Sequence, residues 1–152
     1  MTDCVAACRV ALLLGTLALA GCASYSDSFD VVDHKLSAGQ YDAALKDIEK
    51  QSNTKKDRVL YLLNKGMVLS MKRDFAGSNQ AFEAAKAEMD RLYAVSVTEN
   101  TLSFIVNDST VSYAGDDYEQ VLLHLYMALN FLELGQPKEA RVEALQVDVK
   151  LR

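Results

Sequence analysis

The amino-acid sequence predicts an all-α fold of about three helical hairpins, and three observations carry the prediction. Proline occurs once, at Pro137, and the chain is rich in Ala, Leu, Lys and Glu, which favour helix. Apolar positions recur at helical spacing through most of positions 29–150. The chain is also self-similar. Gly39–Ile48 is matched by Arg73–Phe82 and again by Gly135–Ala144, and an insert at positions 93–120 separates the second copy from the third.

Val10–Ala20 is an uncharged apolar run, preceded by Arg9. Its length suits a signal-peptide core, since a spanning helix needs about 20 apolar residues. The run ends in Leu19-Ala20-Gly21-Cys22. This resembles the lipobox of bacterial lipoproteins, in which an aliphatic residue and two small residues precede an obligatory cysteine. The resemblance implies that positions 1–21 are removed and that Cys22 receives a thioether-linked lipid and an acylated amine. Two or three acyl chains, at about 0.8 kcal/mol per buried methylene, anchor a protein stably. Ala23 follows Cys22 where an aspartate would signal retention, which implies the outer membrane, facing the periplasm. The alternative is an ordinary signal peptide with a chance cysteine. Cys4 and Cys8 fall in the segment expected to be removed, so positions 23–152 hold no thiol. A disulfide framework and a cysteine metal site are thereby excluded from the body.

Positions 22–28 read as a short lipidated tether and 29–152 as the domain. Helices are expected at about 29–37, 41–51, 57–71, 75–92, 117–134 and 137–150. Asp74 is placed to cap the fourth, and Asp117 to help begin the fifth. From Val121 to Leu134 every residue except His124, Asn130 and Glu133 is apolar, all round the helix. Such a helix is buried on several sides, yet those three residues interrupt it and it is too short to span a bilayer. Its outer side is expected to be covered by the insert or by protein beyond Arg152. No polar capping helix follows the last expected one, so the chain reads as a truncated product.

The first two copies are offset by the tetratricopeptide (TPR) period of about 34 residues. Small residues Gly66, Ser78, Ala128 and Ala140 and bulky residues Tyr41, Phe75, Ile48 and Phe82 fall in register, and the pattern resembles that family. The resemblance implies paired helices: small residues of helices A and B face each other, and bulky ones fill the gap to the next pair. The first helix A fits poorly, with Lys35 at an aromatic position, and no copy has the terminal proline. A plain helical bundle is the alternative. In the family helix A lines a concave groove, which implies candidate groove residues Leu63, Met67, Met71, Leu125, Leu129 and Leu132.

The insert at 93–120 changes character. It is rich in Val, Thr, Ser and Tyr, with Asn-Asp and Gly-Asp turn signals, and reads as irregular or short β, with Thr101–Val106 extended. Its motif residues are Asn107, Asp108, Tyr113, Gly115, Asp117 and Glu119. Together with the lipobox and the Leu-rich helix, they resemble a poorly characterised family of outer-membrane TPR lipoproteins. That resemblance implies a location and an architecture but no reaction.

The formal charge is −5, and the densest basic stretch, at 55–58, is interrupted by Asp57. Such a chain is a poor nucleic-acid ligand. No HExxH, GxSxG or phosphate-cradling glycine loop occurs. The two histidines, His34 and His124, make no metal set, and His124 in the apolar helix reads as a satisfied core or interface residue. Asp108, Asp116, Asp117 and Glu119 read either as a carboxylate or cation site or as turn and capping residues, with the spacing lacking an EF-hand pattern. The expectation is a non-enzymatic, lipid-anchored scaffold with no cofactor, binding an envelope protein or peptide. The alternatives are a structural accessory of an envelope assembly machine, or a cell-wall glycan enzyme using Asp117 or Glu119 as an acid.

Overall fold

The computed structural model describes residues 25–51, 55–99 and 112–151. They form six α-helices: α1 Tyr25–Ser37, α2 Tyr41–Gln51, α3 Arg58–Met71, α4 Phe75–Glu99, α5 Asp117–Glu133 and α6 Pro137–Lys150. A 3-10 turn, Lys55–Asp57, leads into α3, and no strand occurs among the described residues. The chain divides into two compact units, residues 1–34 and 35–152. Of the first, Tyr25–His34 is described and is helical. All packing below belongs to the second.

Two boundaries differ from expectation. α1 starts at Tyr25, so part of the expected tether is helix; nothing in residues 25–28 breaks one, and an aspartate is favourable in a first turn. α4 continues to Glu99. Residues 93–99 include β-branched Val and Thr but no Gly or Pro, so the helix propagates at small cost. The expected insert narrows at both ends: 93–99 and 117–120 are helical, and 112–116 is irregular. Thr101–Val106, Asn107 and Asp108 lie outside the described residues, as do Cys22 and the segment before it.

The three turns that follow α1, α3 and α5 share one geometry. Gly39, Arg73 and Gly135 have φ of 71°, 69° and 70°. In each turn two backbone bonds close the helix: Gly39 N–H to Leu36 O and Gln40 N–H to Lys35 O, Arg73 N–H to Ser70 O and Asp74 N–H to Leu69 O, Gly135 N–H to Leu132 O and Gln136 N–H to Phe131 O, all between 2.8 and 3.0 Å. This is a left-handed cap that satisfies otherwise orphaned carbonyls. Asp74 then caps α4 as expected, accepting the Gly77 N–H at 3.0 Å.

α3 packs along α4, α5 packs along α6, α2 lies on α3, and α5 lies on α4 and α3. The core is Val59, Leu62 and Leu63 of α3, Phe82, Ala85 and Met89 of α4, and Leu123 and Met127 of α5. Close approach of α3 and α4 depends on Gly66: a β-carbon there would sit 2.5 Å from Phe82 Cε1. Ser78, fully buried, donates its hydroxyl to Gly66 O at 2.7 Å. The small residue of one helix therefore faces the small residue of the other. Phe82 lies against Tyr126 of α5, with ring centroids 6.3 Å apart.

Within α3–α6, a buried polar chain fastens the second hairpin, α5–α6, to the first, α3–α4. Asn130 of α5, 1% exposed, donates from Nδ2 to Ser78 Oγ and to Asn79 Oδ1, each at 2.8 Å. Its Oδ1 accepts the Ser70 hydroxyl at 2.8 Å. Ion pairs add to the edges: Lys35 and Lys50 both engage Asp47, Lys72 reaches Asp42 at 2.5 Å, and Arg73 reaches Glu133 at 3.5 Å. The pairs at Asp42 and Glu133 are exposed and contribute little each, whereas Lys35–Asp47 is part-buried.

Two stability measurements follow. Asn130→Leu keeps the approximate shape but leaves Asn79 Oδ1 without its donor, so the unfolding free energy in urea should fall by about 3 kcal/mol. Arg73 holds a backbone conformation that costs a residue with a β-carbon about 1 kcal/mol. Arg73→Gly should therefore raise stability by about that amount, and a drop would contradict the turn geometry.

Candidate functional site

Three features of the second unit could support function: the outward faces of α3 and α5, the loop that enters α5, and a polar trio behind it with a buried histidine and glutamate. α5 turns Leu123, Met127, Ala128 and Asn130 inward. The opposite side carries Leu122, Leu125, Leu129 and Leu132, which are 44%, 44%, 48% and 56% exposed. Steps of three and four along the helix make them one continuous stripe. The expected groove residues therefore separate. Leu125, Leu129 and Leu132 lie on this open stripe, and Met71 at the end of α3 is also exposed. Met67 is half-buried against the core, and Leu63 is a core residue, 9% exposed. Leu63 moves inward because α3 is covered by both α4 and α5 and so turns a wider arc of its surface to neighbours. Leu122, not singled out from the sequence, extends the stripe by a turn; its helical step to Leu125 was the signal.

The loop entering α5 is held by its own side chains. Tyr113 N–H donates to Lys56 O at 2.9 Å, and the Tyr113 hydroxyl donates to the Glu119 carboxylate. Glu119 also accepts the Asp116 N–H at 2.9 Å. Asp116, with φ −81° and ψ 157°, is thus the residue that begins α5, in a capping box with Glu119. Asp117, expected to help begin the helix, lies exposed in its first turn, one position after the cap. Gly115 has φ +83°, and a β-carbon there would meet Met89 Cε at 2.6 Å, so the loop is pressed on the core. Glu119 is committed to two donors and Asp116 to the helix start, so these carboxylates act as a cap. Burial, then the Glu119 hydrogen bond and its negative charge, hold the Tyr113 hydroxyl well above the usual tyrosine range. Tyr118 is raised too, chiefly by the charge of Glu119.

Behind α5, His124 and Glu143 are both 6% exposed. His124 Nδ1 lies 2.6 Å from Glu143 Oε2, and with a carboxylate opposite, that nitrogen is the donor. Lys86 Nζ lies 3.6 Å from the other Glu143 oxygen. The trio joins α4, α5 and α6 and accounts for a histidine inside an apolar helix. Glu143 was not distinguishable in the sequence, because an acidic residue on a helix next to alanines usually faces water. Its one signal is His124, which needs an acceptor. His34 of α1 is exposed. No group of three or more metal-ligating side chains occurs among the described residues, and no described helix is long and apolar enough to cross a membrane.

Models of known protein families do not match this chain. Neither curated proteins nor solved structures give a match.

The loop makes a pH prediction. Tyr113 is neutral in the fold and ionises above its unfolded value, so its stabilisation is complete below about pH 10 and is lost as pH rises beyond it. Stability should fall above that point, and fall less in Tyr113→Phe. Ultraviolet titration of phenolate should lose a late-ionising tyrosine in that variant; loss of one that ionises in the ordinary range would count against the Tyr113–Glu119 bond.

Proposed function

We propose that the protein is a lipid-anchored scaffold of TPR-like hairpins that binds a partner protein in the bacterial envelope, on the periplasmic side of the outer membrane. The single observation that carries the binding is the Leu122–Leu125–Leu129–Leu132 stripe. It runs about 15 Å along the helix axis. Leaving four leucines in water is costly, and a row of this length and spacing suits the apolar face of a partner's amphipathic helix. Met71 extends the apolar surface at the end of α3. The TPR-like reading draws support from the three matching turns at Gly39, Arg73 and Gly135, and from the buried small residues Ala44, Ser78 and Ala140 at the same register. The anchor rests on Leu19-Ala20-Gly21-Cys22 in the sequence. No reaction is assigned: Glu119 is occupied as a cap, and His124 and Glu143 are buried in each other's company.

Binding and anchoring have separate tests. Cys22→Ser should abolish incorporation of labelled palmitate and move the protein out of the membrane fraction of the producing bacterium; continued labelling would refute the anchor. For binding, the full chain is purified from detergent-solubilised envelopes of its host. Leu125→Asp with Leu129→Asp should remove the stoichiometric partner and leave the circular dichroism spectrum unchanged, because both side chains already meet solvent. Retention of that partner by the double variant would sink the groove.

A further inference from the structure

α6 carries a second apolar stripe, on the side away from α5. Ala140 and Glu143 face inward, whereas Val142, Leu145 and Val149 are 55%, 54% and 62% exposed. At about 100° per residue these three lie on the face opposite the buried one. The repeat register makes the stripe informative. With Ala140 aligned on Ser78 and Ala44, the same positions on α4 hold Gln80, Glu83 and Ala87, and on α2 they include Lys46 and Glu49. All of these are exposed. α2 and α4 are each followed by a further hairpin, and their faces at this register still meet water. A longer stack would leave the α6 face open in the same way. Its apolar residues therefore answer to something that approaches from outside the stack.

We propose that this partner is a second copy of the chain, docked α6 to α6 in antiparallel orientation about a twofold axis near Leu145. The charges flanking the stripe fit that arrangement. Arg141 and Asp148 share one flank, and Glu139 and Lys150 share the other; all four are exposed. In an antiparallel pair centred near Leu145, Arg141 of one copy meets Asp148 of the other, and Glu139 meets Lys150. The twofold axis makes each pairing twice. Like an antiparallel coiled coil, the interface places apolar side chains in the seam and opposite charges along both edges. Lys150 reaches Gln120 at 2.7 Å within its own chain and keeps two further donors for a neighbour. Opposed helix dipoles favour the same orientation. A single helix of this length, Pro137–Lys150, offers less than the roughly 800 Å² per partner of a standard interface, so the dimer is weak and depends on concentration.

The test is sedimentation equilibrium of the full chain in density-matched detergent. The wild type should show a monomer–dimer equilibrium. Leu145→Glu and, separately, Arg141→Glu should each raise the dissociation constant at least about tenfold, with circular dichroism unchanged because both residues are exposed. Adding Asp148→Lys to Arg141→Glu should restore the dimer to within about threefold of wild type, since the reversed pair meets itself across the axis. Three results would overturn the proposal: a wild type monomeric at every concentration, a dimer indifferent to Leu145→Glu, or a charge-swapped double variant that stays weak. The second result would place the contact elsewhere, for example in the apolar N-terminal run. The third would mean a parallel or differently registered pair.

Discussion

The fold depends on how closely α3 and α4 approach at Gly66. With no side chain there, the Phe82 ring lies on the α3 backbone and the Ser78 hydroxyl reaches the Gly66 carbonyl. That contact sets the depth at which Asn130 can enter from α5 and bond to Ser78 and Asn79 together. A wider α3–α4 gap would displace Ser78 and Asn79 from α5 and strip the Asn130 amide of an acceptor. Hydrophobic area alone would let α5 slide along the first hairpin by a turn. A buried amide with three partners on two helices allows one position, because any slip leaves several polar atoms unsatisfied, at about 1–3 kcal/mol each.

The second hairpin is then oriented by groups that sequence patterns treat as interruptions. Asn130 and His124 sit in an otherwise apolar helix. One points to the first hairpin and the other to Glu143 on α6. Between them they fix which arcs of α5 are inward, and by subtraction which arc carries Leu122, Leu125, Leu129 and Leu132. The apolar residues on all sides of α5 therefore do not mean burial on all sides. Polar side chains with defined partners choose the buried faces, and the leucines left over form the exposed one.

Most of the helices were legible from sequence, because Gly39, Arg73 and Gly135 recur in register with the small residues Ala44, Ser78 and Ala140. Those positions are set by backbone geometry and close packing, which tolerate few residue types. Arg73 shows the limit, since its positive φ is visible only through that register. The end of α4 was not legible. Val and Thr at 93–99 read as strand formers, yet propensity differences of tenths of a kcal/mol yield to a helix already started. Of the candidate site, the leucines of α5 were readable from their spacing, whereas Leu63 was misplaced because a repeat pattern does not say how many neighbours cover a given helix. Glu143 depends on a contact between helices, which one helix's pattern does not contain, whereas the Asp116–Glu119 capping box is local and its spacing stands in the sequence.

The two exposed stripes of the second hairpin are not equivalent, and the repeat shows why. The α5 stripe lies on a first helix, whose counterpart α3 also carries apolar residues at that register, Leu63 in the core and Met67 packed against it, so the stripe continues a face that is apolar from copy to copy. The α6 stripe has no such continuity, because its counterparts on α2 and α4 are charged, polar or small. Residues that keep a repeat folded should look alike from copy to copy. Val142, Leu145 and Val149 depart from the pattern at three successive outward positions, while the inward Ala140 keeps it. Packing among the described residues does not require that departure, and solvation opposes it. The proposed contact with a second copy would supply that stabilisation, and the oppositely charged flanks at Arg141, Asp148, Glu139 and Lys150 limit what shape it takes.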